Sequence, residues 1–332
     1  MRSMQRAPQP ILEVSNLKQY FPVKKEKITE KKRYVQAVDD ISFTIDAGTT
    51  VSIVGESGCG KSTTGRAILR LDDPTSGTIE YKGKDIASLK KRELKTLRGD
   101  IQVIFQDPFA SLNPRRTIRQ MLNEAMAIQN VMDKTNREKR MLELMELVGL
   151  PYDSLERLPH EFSGGQRQRL GIARALAVNP KLIICDEAVS ALDVSVQAQV
   201  LNLMKKLQRE LDLTYLFISH DLSVVKHISD RVIVMYLGKV VEIADNDKLF
   251  ANPRHPYTKA LLSAIPVPDV NVQRDEIEIK GDVPSPINPP KGCRFHTRCP
   301  FATEHCRNVE PELRTIDDQH KVSCHYAEDL SF

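Results

Sequence analysis

The stretch that most constrains the fold runs from Gly55 to Ser62 and reads GESGCGKS. The pattern G-x-x-x-x-G-K-S is typical of a loop that surrounds nucleotide phosphates, because its glycines let successive backbone N–H groups turn toward one anion. Residues 49–54 before it form a β-branched run suited to a buried strand, and residues 62–69 after it can open a helix. Strand, loop and helix N-terminus follow in the order that a phosphate site needs, so the sequence predicts a bound nucleoside triphosphate.

Two side chains of this loop have separate predicted roles. Lys61 supplies a mobile cation for the β and γ phosphates, and the hydroxyl of Ser62 is placed to bind Mg²⁺. The residues predicted to contact the nucleotide are Gly55, Glu56, Ser57, Gly58, Cys59, Gly60, Lys61, Ser62 and Thr63.

Composition bounds the class of protein. The 332 residues can form one large domain with an appendage, or two domains, and a net charge of +4 gives little reason to invoke nucleic acid. No apolar run is long enough to span a bilayer, and the N-terminus lacks the apolar core of a signal peptide. We therefore expect a cytoplasmic chain that reaches a membrane only through partners, with its six cysteines as thiols or metal ligands.

Apolar patterning predicts alternating strands and helices. Strands are predicted at residues 11–20, 35–45, 49–54, 77–81, 101–105, 182–185 and 215–218. The basic run at 24–33 is interpreted as a solvated hairpin tip, and residues 107–178 are mainly helical in pattern. In that region Met141, Leu144 and Met145 recur at helical spacing and are predicted to be core. The continuous apolar runs at 182–185 and 215–218, on either side of a helix at 196–211, suit a parallel sheet buried on both faces.

Polar residues with catalytic potential follow three of these strands. Asp186 is placed to hold Mg²⁺, and Glu187 to polarise an attacking water molecule. Gln106 closes the strand at 101–105, where its amide can contact Mg²⁺ or that water. His220 is placed to donate to a γ-phosphate, although a lone histidine is more often a bystander.

A second anion-binding helix start lies at residues 162–166, which read FSGGQ. Ser163 is a suitable N-cap, Gly164 and Gly165 permit close backbone approach, and Gln166 follows in the first turn. One nucleotide needs only one phosphate loop, so this second site must serve another purpose.

Taken together, the phosphate loop, Gln106, FSGGQ, CDE at 185–187, SALD at 190–193 and His220 resemble the nucleotide-binding subunit of an ABC transporter. The resemblance covers residues 11–250 and implies an α/β fold. It implies a RecA-like P-loop NTPase core with an antiparallel β subdomain, and a helical signature subdomain at about 107–178. ATP and Mg²⁺ are the implied ligands.

In that family two subunits sit head to tail, and the signature of one completes the ATP site of the other. The resemblance thus implies that residues 163–166 act on a partner's ATP and that Asp193 links the two sites. Tyr20 best matches the aromatic residue that stacks on adenine, with Tyr34 as the alternative because the basic insertion leaves the register open. Ala188 departs from the family, which usually has proline after the catalytic glutamate.

Three further segments resemble the ATPase subunits of oligopeptide and dipeptide importers, and most closely the F component, which pairs with a related D component. They are QDPFASLNPR at 106–115, NPRHPYTKALL at 252–262 and PSPINPP at 284–290. This implies a peptide substrate, a D-type ATPase partner, two membrane permease subunits contacted through residues 109–119, an extracytoplasmic peptide-binding protein, and a peripheral position on the cytoplasmic face of the membrane. Importers of nickel and of some glycosides share the layout.

The alternative class is a soluble ABC-type ATPase that acts in DNA repair or translation. The single ATPase module and the lack of a basic stripe with aromatic residues argue against it.

Four of the six cysteines lie in a proline-rich appendage predicted at residues 251–332; they are Cys293, Cys299, Cys306 and Cys324. Their spacing lacks the paired C-x-x-C knuckles typical of structural zinc. Four thiolates can instead hold an iron–sulfur cluster. The importer resemblance likewise implies a [4Fe–4S] site, with a structural role as the default. Zinc, with His296 or His325 as a substitute ligand, and unliganded thiols remain alternatives. Cys59 and Cys185 are interpreted as small buried residues.

Overall fold

The computed structural model describes residues 10–24, 32–107, 112–129, 133–265 and 279–330. Most of the basic run at 24–33 and the beginning of the segment at 109–119 lie outside the described residues. The strands are β1 (Pro10–Pro22), β2 (Tyr34–Asp46), β3 (Thr50–Val54), β4 (Ser76–Tyr81), β5 (Lys84–Asp85), β6 (Ile101–Ile104), β7 (Leu182–Asp186), β8 (Thr214–Ser219), β9 (Arg231–Tyr236), β10 (Lys239–Asp245), β11 (Arg314–Asp317) and β12 (His320–Val322). The helices are α1 (Lys61–Ile68), α2 (Lys91–Asp100), α3 (Ile118–Gln129), α4 (Lys134–Leu147), α5 (Gly164–Leu176), α6 (Val194–Leu211), α7 (Leu222–Ile228), α8 (Asn246–Ala251), α9 (Pro256–Ser263) and α10 (Glu304–Asn308).

The chain divides into two compact units. The helical unit comprises Asp46–Thr50 and Ser88–Ile218, and the phosphate-loop unit comprises Pro10–Ile45, Val51–Ala87 and the chain from Ser219 onward. No helix within the described ranges combines the length and apolarity needed to cross a bilayer.

The helical unit contains the parallel strands β6, β7 and β8, in which Ile104 pairs with Cys185 and Leu182 with Thr214. Strand β8 is buried along its whole length, as expected of a parallel strand covered on both faces. In α4 the side chains of Met141, Leu144 and Met145 are buried, which confirms the predicted core stripe.

The phosphate-loop unit contains an antiparallel sheet of order β2-β1-β4-β5. A second group of strands runs in the order β11-β12-β10-β9-β3, with β3 parallel to β9. Every residue of β3 is buried, and the phosphate loop follows directly from its end. The register of β12 on β10 pairs Val322 with Glu242, so hydrogen bonds cross the domain boundary placed at residue 250, and that boundary stays a prediction.

Candidate functional site

Two glycines of the phosphate loop occupy positions where no other residue fits. Gly55 and Gly60 have φ angles of +149° and +109°, outside the range that L side chains readily adopt. A Cβ atom on Gly55 would lie 2.2 Å from the carbonyl oxygen of Met235, and one on Gly60 would lie 2.2 Å from that of Ala37. The loop therefore depends on glycine both for its turn and for close packing against neighbouring backbone.

Lys61 begins α1 and carries its charge within the loop. Its Nζ donates hydrogen bonds to the carbonyl oxygens of Gly55, at 2.8 Å, and Glu56, at 2.9 Å. The first turn of α1, which includes the half-buried Ser62 and Thr63, carries no acidic residue. A buried ammonium group and a helix N-terminus thus meet at one place, and both favour an anion.

Cys59 lies in the same loop and is buried, as predicted. Burial raises the pKa of its thiol, which keeps the side chain protonated. The Cys59 carbonyl oxygen accepts a hydrogen bond of 2.9 Å from Gly238 N–H, in the turn between β9 and β10. That bond ties the loop to the strand connection beside it.

Tyr20, the predicted adenine-stacking residue, is half-buried on β1. Its hydroxyl donates to the carboxylate of Asp39, and burial together with this carboxylate raises the pKa of Tyr20. Tyr34, the alternative, is 40% exposed at the start of β2. His220 is exposed and follows the last residue of β8. Stacking by either tyrosine and the role of His220 stay predictions.

Within the helical unit, the structure brings two predicted catalytic residues together. The Gln106 side-chain amide donates a hydrogen bond of 3.0 Å to Oε2 of Glu187. Glu187 follows β7 with φ at +48°, and its backbone N–H donates to the carbonyl oxygen of Ile218 at 2.9 Å. Asp186 is the last residue of β7, and Ala188 is buried. The turn therefore fixes the backbone of Glu187, and the side-chain amide of Gln106 can orient the Glu187 carboxylate.

The signature residues form a capped helix N-terminus. The Ser163 hydroxyl accepts from the backbone N–H of Gln166 at 3.4 Å, and the Gln166 side-chain oxygen accepts from the N–H of Ser163 at 3.0 Å. This reciprocal capping box fixes the first turn of α5, in which Gly164 and Gly165 are the first two residues. Ser163, Gly164 and Gln166 are exposed, so this helix start is accessible to a partner.

Asp193 caps the next helix, α6. Its Oδ1 accepts from the backbone N–H of Val196 at 3.0 Å and from the hydroxyl of Ser195 at 2.8 Å. These hydrogen bonds, the backbone one first, hold the pKa of Asp193 below its usual range. Asp193 therefore has a helix-capping role in this chain, whatever it does across a dimer.

The four C-terminal cysteines line one small cavity of about 20 Å³. The rest of the wall is largely aromatic and apolar, and includes Phe295, Phe301 and Leu330. The backbone N–H of Cys293 donates to the carbonyl oxygen of Cys306 at 2.8 Å, which joins the first and third of the four cysteines.

Burial and the neighbouring sulfurs raise the pKa of Cys293 to about 12 and that of Cys299 to about 11. The backbone N–H groups of Phe295 and Phe301 act in the opposite direction and favour thiolate at these sulfurs. At neutral pH these raised pKa values favour the uncharged thiol at both sulfurs.

In the described part of the chain, no three histidine, cysteine or acidic side chains are close enough to hold a single metal ion. Among the described residues there is thus no formed site for the predicted iron–sulfur cluster, nor for its alternative, zinc. Of its two suggested histidine ligands, the His296 ring donates from Nδ1 to the carbonyl oxygen of Cys293 at 2.8 Å. The other, His325, has Nε2 3.0 Å from the carbonyl oxygen of Val309.

The structure also places C-terminal residues against the phosphate loop, which sequence reasoning missed. The Glu56 carboxylate accepts two hydrogen bonds from the guanidinium of Arg298, at 2.7 and 3.1 Å. The hydroxyl of Tyr257 accepts from the Glu56 backbone N–H at 2.9 Å. No local pattern signals contacts between residues more than 200 positions apart.

Comparison with known families gives two matches along the chain. Residues 38–190 match the family described as ABC transporter, and residues 241–306 match the one described as oligopeptide/dipeptide transporter, C-terminal region. The oligopeptide transport ATP-binding protein AppF of Bacillus subtilis is 55% identical, over 95% of this chain and 97% of that protein. The probable peptide ABC transporter ATP-binding protein y4tS of Sinorhizobium fredii is 51% identical, over 95% of this chain and 89% of its own.

Solved structures agree on the fold. The cbiO1 protein of Clostridium perfringens, part of the ABC transporter complex cbiONQ, matches with a TM-score of 0.64 and 27% identity, over 73% of this chain and 91% of that one. The dimeric ATP-binding cassette MJ0796 bound to ADP and Pi matches with a TM-score of 0.61 and 31% identity, over 71% of this chain and 98% of that one.

Fold and phosphate loop thus define an ABC-type ATPase with mixed α/β structure. More closely, the chain belongs to the ATP-binding subunits of ABC transporters that carry the oligopeptide/dipeptide transporter C-terminal region.

Proposed function

We propose that this chain is the ATP-hydrolysing, energy-coupling subunit of an importer for oligopeptides or dipeptides. The proposed substrate class rests mainly on the match of residues 241–306 to the oligopeptide/dipeptide transporter C-terminal region. The chain is also 55% identical to an oligopeptide transport ATP-binding protein. The phosphate loop, with Lys61 inside it, supports the ATPase part of the proposal.

In the proposed cycle, residues 55–63 hold the phosphates of ATP, and Tyr20 stacks on adenine. Ser62, Gln106 and Asp186 hold Mg²⁺, which when bound neutralises charge on the phosphates. Glu187 accepts the proton of, or orients, the attacking water, and its contact with the Gln106 amide supports this role. His220 donates to the γ-phosphate.

We further propose that the chain works as a heterodimer with a D-type ATPase, on the cytoplasmic face of the membrane. Two permease subunits, and indirectly a peptide-binding protein, complete the transporter. Support comes from the exposed, capped helix start at residues 163–166, whose backbone N–H groups suit a partner's γ-phosphate. The dimeric MJ0796 cassette provides a precedent for pairing of such subunits.

For the four cysteines we propose a [4Fe–4S] cluster with a structural role. The shared cavity and the N–H groups directed at two of the sulfurs support it. The four thiolates would hold the cluster, and its binding would add to the folding free energy of this segment. Anaerobic purification with iron, sulfide and zinc analysis tests it: about four irons and four sulfides per chain are expected, whereas one zinc without sulfide would reject the cluster.

A transport assay tests the importer function. Cells lacking this subunit should fail to take up a radiolabelled oligopeptide yet take up ⁶³Ni²⁺ normally, and the wild-type gene should restore peptide uptake. Glu187→Gln should not restore it, whereas Glu210→Gln should, because Glu210 is an exposed carboxylate whose partner is Lys206, 3.8 Å away. Loss of nickel uptake with peptide uptake intact would overturn the substrate assignment.

A further inference from the structure

Two residues of the C-terminal region, Arg298 and Tyr257, form hydrogen bonds with Glu56 of the phosphate loop. We call this set of contacts the brace. Arg298 has a side chain only 9% exposed, and its guanidinium forms a two-pronged ion pair with the Glu56 carboxylate, which is 28% exposed. A bidentate arginine–carboxylate pair fixes the relative orientation of the two side chains in addition to the charge attraction between them. Partial burial reduces the screening of that attraction by solvent. Because Glu56 is the second residue of the loop, this pair fixes the loop at its start.

A second contact fixes the same residue through its backbone. Tyr257 is fully buried, and its hydroxyl accepts from the N–H of Glu56 at 2.9 Å. Its ring packs edge-on against Tyr236, with centroids 4.8 Å apart, and lies tilted against Phe295 with centroids 5.3 Å apart. The Arg298 guanidinium lies over the ring of Tyr236 at 5.8 Å. Backbone and side chain of Glu56 are thus held by one aromatic cluster.

This brace is continuous with the cysteine site. Arg298 immediately precedes Cys299, and Phe295 lines the cysteine cavity. A similar link reaches the predicted adenine end of the site, because Arg294, which follows Cys293, donates to the Asp39 carboxylate that accepts from Tyr20.

We propose that Arg298 and Tyr257 are positioning residues of the phosphate loop, so that the C-terminal region sets the affinity of this subunit for MgATP. The proposal rests on the ATP site proposed above. Neither residue touches the reacting atoms; both act through Glu56. The carbonyl oxygens of Gly55 and Glu56, which accept from Lys61, lie on either side of the fixed N–H, so the brace also fixes where the loop lysine is held.

Substituting Glu56 separates positioning from simple electrostatics. If Glu56 acted only through its charge, Glu56→Gln would tighten binding, because a carboxylate near the phosphates would be removed. If the ion pair of Glu56 with Arg298 instead holds the loop in its binding conformation, Glu56→Gln should weaken MgATP binding by about tenfold, the usual scale for losing a hydrogen-bonded charge pair. The two accounts therefore predict opposite signs.

The experiment is calorimetric titration of the full-length, anaerobically purified chain with MgATP. Arg298→Gln and Glu56→Gln are each expected to raise Kd about tenfold, and the double variant should be no weaker than the poorer single variant, because both remove one interaction. Arg298→Lys should recover part of the affinity, since it keeps the charge but loses the fork. Arg307→Gln is the matched control: Arg307 also adjoins a cysteine, but it is 60% exposed and pairs with Glu304 at 4.0 Å; its Kd should equal the wild-type value.

In the assembled transporter the same variants should raise KM for ATP with little change in kcat. Lost folding alone would lower kcat with KM unchanged, and that result would overturn the proposal. So would a Glu56→Gln chain that binds MgATP as tightly as wild type, a measurement that stands even if Arg298→Gln fails to fold. Lys61→Ala distinguishes failure of the proposed ATP site from failure of the brace. If Lys61→Ala binds MgATP like wild type, the ATP site itself is misassigned. If Lys61→Ala loses binding while Arg298→Gln keeps the wild-type Kd, only the brace is rejected.

Discussion

Gly165 in the signature offers a test of why that position is glycine. A Cβ atom placed on Gly165 would lie 2.3 Å from Cγ1 of Val196 in the first turn of α6, whereas one on Gly164 would lie 3.7 Å from Cδ2 of Leu192, an ordinary contact. Val196 is β-branched and stiff at χ1 within a helix, so it cannot turn away at low cost. We therefore expect Gly165→Ala to destabilise the helical unit and Gly164→Ala to leave it unchanged.

The size of the effect follows from the overlap at Gly165. The two carbons must separate by about 1 Å to reach normal contact, and such overpacking costs about 1–3 kcal/mol. Alanine recovers up to about 1 kcal/mol relative to glycine in a helix, less so in the first turn. The net loss should be about 1–2 kcal/mol, or a fall in Tm of about 1–3 °C for a chain of 332 residues.

Thermal unfolding of the purified chain measures this, and Val196→Ala provides the rescue. Adding Gly165→Ala to a Val196→Ala chain should cost nothing further, because the clashing methyl group is gone. If Gly165→Ala unfolds at the wild-type temperature, or if the Val196→Ala background gives no relief, the packing explanation is wrong. Should the rescued double variant still lack ATPase activity in the transporter, Gly165 is also needed for the backbone approach to the partner's nucleotide.

Three further outcomes are expected. Glu187→Gln should bind MgATP and hold a closed dimer with the partner ATPase on size exclusion, because it removes the base but keeps the shape; normal turnover would show that the partner's site carries the cycle. Cys299→Ser should lower the iron content per chain and the unfolding temperature, and wild-type iron would contradict its assignment as a ligand. Burial lowers the pKa of His255 to about 4, below the unfolded value of about 6.5, so the unfolded chain binds the proton first and about 3 kcal/mol of stability should be lost as pH falls through that interval. His255→Asn keeps an acceptor for the N–H of Tyr257 but does not titrate, so its unfolding free energy should vary less with pH; an unchanged pH dependence would exclude His255 as the cause.

The strands predicted from apolar patterning are confirmed, with ends that differ by no more than two residues. Their signal is strong because β7 and β8 are buried on both faces, so almost every residue in them is apolar. Strand β9 is similarly apolar, yet neither it nor β10, which includes Lys239, Glu242 and Asp245, is among the predicted strands. The short pair β11 and β12 has exposed alternate residues that patterning alone cannot separate from loop. Motif chemistry named the residues of the candidate site, and the Gln106 contact with Glu187 agrees with it, whereas the nucleotide roles themselves remain predictions.

The brace at Glu56 lay beyond sequence reasoning for a physical reason. Glu56 occupies one of the unspecified positions of the loop motif, where any residue is compatible with phosphate binding, and Arg298 lies in a turn-rich segment without periodicity. Only folding, which packs Tyr257 and Phe295 against Tyr236, turns these two positions into an ion pair. The variable residue of a phosphate loop is thus the point through which an appended region can influence a nucleotide site without altering the residues that bind the phosphates.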